Sequence, residues 1–151
     1  MPRHQRTRSV SHSFFIRAPP QKVFEALTDP KWLIKWGPDI AKVSRRKGGS
    51  YSFGFEGGRW VHSGKILEYV SGASVSYSWE WPGVELLGTK LRFAVRPKKG
   101  GALLDVEHSG FPKIGRWTDL YGVTEWGWTY YAMNLKSVLE TGYDLRSRDD
   151  A

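Results

Sequence analysis

Three of the four histidines, His12, His62 and His108, fall on the inward faces of the strands in which the residue pattern places them. Three imidazoles could hold a metal, but no pair has HxH or HExxH spacing and no inward carboxylate joins them. The spacing therefore predicts satisfied histidines of a core or pocket rim rather than zinc ligands, and no cofactor is expected. His62, between Trp60 and Gly64, is placed to point a hydrogen-bonding group into apolar surroundings. General acid or base work needs carboxylates that share a cavity, yet alternation puts Glu56, Glu80, Asp105 and Glu107 on the polar face. Glu85, in a loop beside Gly83 and Leu86, is the one acid with a position that could overhang a pocket mouth, and an exposed loop acid is the expected reading of it. His108 and Ser109 are adjacent in a strand, so their side chains diverge, and there is no GxSxG elbow. Gly64-Lys65 lacks the upstream glycine of a phosphate loop. The absence of cysteine excludes a disulfide framework, a thiolate metal site and a cysteine nucleophile.

The elements that must position these groups are legible from two periodicities. From Trp117 to Gly142, residues Trp117, Leu120, Tyr121, Thr124, Trp128, Tyr131, Leu135, Val138 and Leu139 form one apolar stripe at helical spacing. Thr118 or Asp119 is expected to cap its start, and Gly142 its end. Upstream, residues 10 to 17 alternate as a strand, and two short helices follow, one carrying Val23, Phe24 and Leu27, the other Trp32, Leu33 and Trp36. From Ile40 to Ser109 the period becomes two, with breaks at Gly48-Gly49, Gly57-Gly58, Ser71-Gly72, Pro82-Gly83 and Gly100-Gly101, which predicts six strands in a meander. The inward set is Tyr51, Phe53 and Phe55, then Trp60, His62, Gly64 and Ile66, then Val75, Tyr77, Trp79 and Trp81. Leu91, Phe93 and Val95 follow, and the last strand contributes Leu104, Val106 and His108. The class is α+β: a curved seven-stranded antiparallel sheet wrapped around a long carboxy-terminal helix, since neither greasy surface can be left wet. A single domain over residues 1–151 is expected, frayed at 1–8 and 144–151.

Lysine and arginine number 23 against 15 acids, a formal charge of +8. The charge is spread over turns and the amino-terminal arm rather than gathered in a stripe. Phe53-Gly54-Phe55 matches the centre of an RNA-recognition signature, but Tyr51-Ser52 stand where a basic residue and glycine belong, so nucleic acid is not the expected partner. No run is long enough to span a bilayer and the basic amino terminus has no apolar signal core, so a soluble cytoplasmic protein is expected. Eight Trp, seven Tyr and seven Phe exceed what a plain core of this size needs, and they recur at alternating positions.

The segments FFIRAPPQKVFEALTDPKWLIKWGP, GGSYSF, GKILEYV, VEHSGFP and GWTYYAMNLKSVLETG, in that order over residues 14 to 142, resemble the homologues of the activator of the heat-shock-protein-90 ATPase. That family belongs to the START-like (SRPBCC) superfamily of helix-grip folds. Two departures from its pattern are Lys35-Trp36, where members often carry two tryptophans, and a short strand between Gly83 and Lys90. The resemblance implies a seven-stranded sheet gripping the last helix, with a deep apolar cavity between them. Combined with the aromatic residues, it gives as the leading expectation a non-catalytic module that binds a small hydrophobic, aromatic or lipid molecule. The expected contact residues are Trp36, Tyr51, Phe53, Trp60, His62 and Tyr77, together with Trp79, Phe93, His108, Trp128 and Tyr131. The alternatives are a co-chaperone-like module acting on a chaperone ATPase in a stress response, and a cyclase- or hydrolase-type enzyme using Trp60, His62 and Glu85. Trp126, Tyr130 and Met133 form a second apolar patch on the helix, suited to a homodimer or another partner.

Overall fold

The computed structural model describes residues 7–80, 88–113 and 115–146. Trp81 and Glu85 lie outside the described residues. Strand β1 (Thr7–Ile16) leads through Pro19 into α1 (Pro20–Thr28), whose first residue is a proline and so gives up no helical hydrogen bond. Asp29 accepts from Lys31 N–H at 2.9 Å and opens α2 (Pro30–Trp36). A meander follows: β2 (Ile40–Val43), β3 (Ser50–Phe55), a 3₁₀ turn (Glu56–Gly58), β4 (Trp60–Val70), β5 (Ser74–Trp79), β6 (Thr89–Lys98) and β7 (Gly101–Pro112). The strands form one antiparallel, curved sheet in the order β1-β7-β6-β5-β4-β3-β2, and the long helix α3 (Arg116–Thr141) lies in its grip.

The α3 stripe is as the spacing predicts: Trp117, Thr124, Trp128 and Leu135 are buried, with Leu120, Tyr121, Tyr131, Val138 and Leu139 packed partly against the cores. Gly142 takes the left-handed conformation at φ +80° and ends the helix. The start differs from expectation. Gly115 stands at the cap position without a side-chain hydrogen bond, and Thr118 and Asp119 lie inside the first turn, where Asp119 faces the positive end of the helix dipole.

Two local features modify the strand alternation. Pairing of β4 with β5 shifts by one residue between Ile66 and Glu68, so the inward set runs from buried Ile66 to Tyr69, which meets the Phe24 ring edge-on at 5.5 Å. On the outer face of β5, Ser76 is buried rather than solvated, because it lies between the longer cross-strand partners Glu68 and Arg92.

Both described ends make hydrogen bonds to the body of the fold. Thr7 and Arg8 pair with Pro112 and Phe111, and residues 144–146 are tied down by a buried amide. Asn134 donates to Trp36 O at 2.9 Å and to Asp144 Oδ1 at 3.0 Å, and accepts from Leu145 N–H at 2.7 Å. Arg146 donates to Gly37 O at 2.7 Å and Ile34 O at 3.1 Å, satisfying carbonyls at the carboxy-terminal end of α2. Arg146 also pairs with Asp144 at 2.8 Å, and these hydrogen bonds hold the Asp144 carboxyl well below its usual range.

The helix is not centred over the sheet. Its main contacts are with β1, β7 and α2, while α1 covers β6 and β7. Its amino-terminal half faces β3, the 3₁₀ turn and β4 across a gap, and there the candidate site lies.

Candidate functional site

The gap is an open cleft of about 240 Å³. One wall is the amino-terminal half of α3, with Thr124, Trp128 and Tyr131; the other comes from the sheet, with Phe55, Trp60, His62, Trp79 and His108. Five of these side chains form a closed circuit of rings. Tyr131 meets Phe55 at 5.6 Å, Phe55 meets His62 at 5.9 Å, and His62 stacks on Trp79 at 4.5 Å and 22°. Trp79 then meets Trp128 edge-on at 5.8 Å, and Trp128 returns to Tyr131 at 6.5 Å. Trp60 and Trp126 stand at the mouth, 47% and 68% exposed.

Behind the rings runs a hydrogen-bonded chain whose proton positions are fixed by its ends. Trp128 Nε1–H can only donate, and does so to His108 Nδ1 at 2.9 Å. A neutral His108 therefore carries its proton on Nε2 and donates it to Thr89 Oγ1 at 2.7 Å. Thr89 in turn donates to Trp79 O at 2.9 Å. His108 is fully buried; burial, reinforced by nearby His62, pushes its pKa down to about 3. His62 shares the direction: burial lowers its pKa against the opposing pull of a hydrogen bond to Glu80 O at 3.1 Å. A carbonyl only accepts, so His62 Nδ1 is the donor in that bond. Both imidazoles are thus neutral polar groups in an aromatic wall.

Of the eleven residues expected to contact a ligand, Trp60, His62, Trp79, His108, Trp128 and Tyr131 come together on the cleft. Trp36, Tyr51, Phe53, Tyr77 and Phe93 do not line it. They are buried in the core cluster between the sheet and the helices. Tyr77 OH donates to Leu27 O at 3.1 Å, Tyr51 OH to Ser78 O, and Trp36 Nε1 to Ala26 O at 2.8 Å, so these polar atoms brace backbone. Burial pushes both phenols up. His12, expected inward, reaches α3 at the sheet edge, where its Nε2 lies 3.3 Å from Thr129 Oγ1.

Sequence reasoning missed Phe55 and Glu56 on the sheet side and Val123, Thr124, Trp126 and Gly127 on the helix as wall residues. Phe55 and Thr124 were already on inward positions. Glu56, assigned to the polar face, is turned to the rim because it leaves the strand for the 3₁₀ turn at φ +51°. Among the described residues no group of three His, Cys, Asp or Glu side chains could hold a metal ion, and no helix is long and apolar enough to cross a membrane.

Comparison with known proteins agrees with this architecture. A protein of Mesorhizobium loti shares 24% identity at a TM-score of 0.79, over 88% of this chain and 97% of its own. The Aha1 dimer of Colwellia psychrerythraea, solved in solution, shares 23% at 0.78, over 89% and 98%. An AHSA1-like protein of Rhizobium etli shares 29% at 0.72, over 95% and 91%. No match was found among curated proteins. Residues 17–140 match the family described as Activator of Hsp90 ATPase homolog 1-like protein, which spans α1 to α3, and the chain belongs to that family.

Proposed function

We propose that this chain is a non-catalytic cytoplasmic binding protein, and that a small hydrophobic or aromatic molecule lies in the ring-lined cleft. The observation that carries the reading is the ring-lined wall itself: Phe55, His62, Trp79, Trp128 and Tyr131 form a closed circuit on one open cleft, with Trp60 and Trp126 exposed at its mouth. A wall of rings with few polar atoms suits a ligand with a flat apolar body. A cleft of about 240 Å³ fits one or two fused rings rather than a long lipid chain. An aromatic ligand of that size buries about 150–250 Å², roughly 4–6 kcal/mol of gross apolar driving force. Titration with a panel of aromatic and short aliphatic compounds is expected to quench tryptophan fluorescence and raise the melting temperature. His62→Ala, which removes the ring stacked on Trp79, should weaken the response several-fold. Absence of quenching and of thermal shift across the panel would overturn the reading.

A second reading, a co-chaperone-like surface that acts on a chaperone ATPase, draws on the helix ridge. Trp126 stacks on Tyr130 at 5.3 Å and 10° while Met133 is also exposed. Its expected result is a change in the chaperone's ATP turnover that Trp126→Ala removes; unchanged turnover with the intact protein excludes it.

A further inference from the structure

The faces of aromatic rings carry negative electrostatic potential, and several faces around one volume favour a positive charge there. The cleft has the five-ring circuit, two further tryptophans at the mouth, and one ionised side chain on its wall, Glu56. No lysine or arginine lines it among the described residues. Both imidazoles on the wall are held below their ordinary range and add no positive charge at neutral pH.

Glu56 is held where it is at a conformational disadvantage. Among the described residues it is the non-glycine residue with positive φ, and the turn is pinned by Asp39 Oδ2, which accepts from Gly57 N–H at 2.9 Å. Glu56 Oε2 accepts from Trp60 Nε1 at 3.1 Å, which sets carboxylate and indole side by side. The chain's own guanidinium already tests this corner. Arg59 lies 3.9 Å from Glu56 Oε2 and 5.3 Å from the Trp60 ring centroid. That exposed pair is weak enough to give way to a ligand.

We infer that the molecule bound in this cleft is a cation, an aromatic or alkyl amine or a quaternary ammonium, with its apolar body among the rings and its charged head at Trp60 and Glu56. The inference rests on the cleft binding a small molecule at all, and adds the charge class to that reading. The net charge of +8 opposes the approach of a cation, but at physiological salt fields decay over about 8 Å, so the wall chemistry decides.

The test uses three probes that share a benzene ring: phenyltrimethylammonium, its neutral isostere tert-butylbenzene, and benzoate, each titrated at neutral pH with tryptophan fluorescence as readout. The cation is expected to bind about tenfold tighter than the isostere. Glu56→Gln should erase most of that margin, while its side-chain carbonyl still accepts from Trp60 and the melting temperature stays unchanged. Equal binding of cation and isostere, or preference for benzoate, overturns the charge inference and leaves the ligand reading standing. Full cation preference in Glu56→Gln likewise overturns the role of that carboxylate. If none of the three probes binds, the ligand reading itself fails first.

Discussion

Trp128→Ala is expected to destabilise the protein by about 3–5 kcal/mol, the range for deleting a large buried ring. The side chain packs edge-on to Phe93 at 5.5 Å and Trp79 at 5.8 Å, and its N–H is the donor that fixes the His108 tautomer. The variant therefore opens a cavity at the back of the cleft and removes the indole donor to His108 Nδ1. Trp128→Phe separates the two effects: a ring remains, the hydrogen bond is lost, and the expected penalty falls to about 1–2 kcal/mol. Denaturant unfolding of both variants measures the difference. A penalty below about 1 kcal/mol for alanine, or equal penalties for both, would mean that the helix does not anchor the site through this residue. In the phenylalanine variant, ligand-induced thermal shift should persist but shrink, because Phe55, His62, Trp79 and Tyr131 still close most of the wall.

The strand and helix stripes of this fold are local properties, and the sequence shows them. Alternation placed Val75, Tyr77 and Trp79 inward, and the 3.6-residue period placed Trp128 and Leu135 inward. In both cases the buried face repeats within one element. The cleft is a relation between elements and was only half visible. That His108 is buried follows from parity, but its partners depend on register. Thr89 reaches it because β6 pairs Leu91 with His108 and β5 pairs Trp79 with Thr89. Glu56 escaped because alternation was extended one residue beyond Phe55, where the chain turns. Trp126 and Val123 lie off the main stripe and line the cleft because α3 leans toward β1 and β7, opening its flank on the other side. Tyr51, Phe53, Tyr77 and Phe93, inward by the same alternation as Trp79, are buried in the core cluster and do not line the cleft. The role of Arg146 depends on a tail that folds back over one hundred residues in sequence to reach Gly37, which no local pattern encodes.

Acidification should loosen this site before it disrupts the rest of the fold. In the unfolded chain His108 takes up a proton near pH 6.5, whereas in the folded protein it resists down to about 3. The unfolded state then binds more protons between these values, so the stability contributed by neutral His108 is complete above about pH 6.5 and declines as pH falls toward 3. The interval amounts to roughly 4–5 kcal/mol as an upper bound, with about half lost by pH 5. His62, also lowered by burial, adds in the same direction over the upper part of that window. The depressed Asp144 and Glu140 carboxyls contribute stability that is lost as pH falls through and below their ordinary values of 3.8 and 4.5, so the upper part of the window, above about pH 5.5, reports the histidines. The structural reason the proton is resisted is Trp128: protonation makes both His108 nitrogens donors and sets Nδ1–H against the indole N–H. Unfolding free energy should therefore fall steadily between pH 6.5 and 4.5, with Trp128 fluorescence shifting toward solvent exposure first. His108→Gln, whose amide can accept from Trp128 and donate to Thr89, should flatten the slope while retaining much of the neutral-pH stability. A slope that persists unchanged in His108→Gln would show that the acid sensitivity comes from other groups and that the buried relay is not its source.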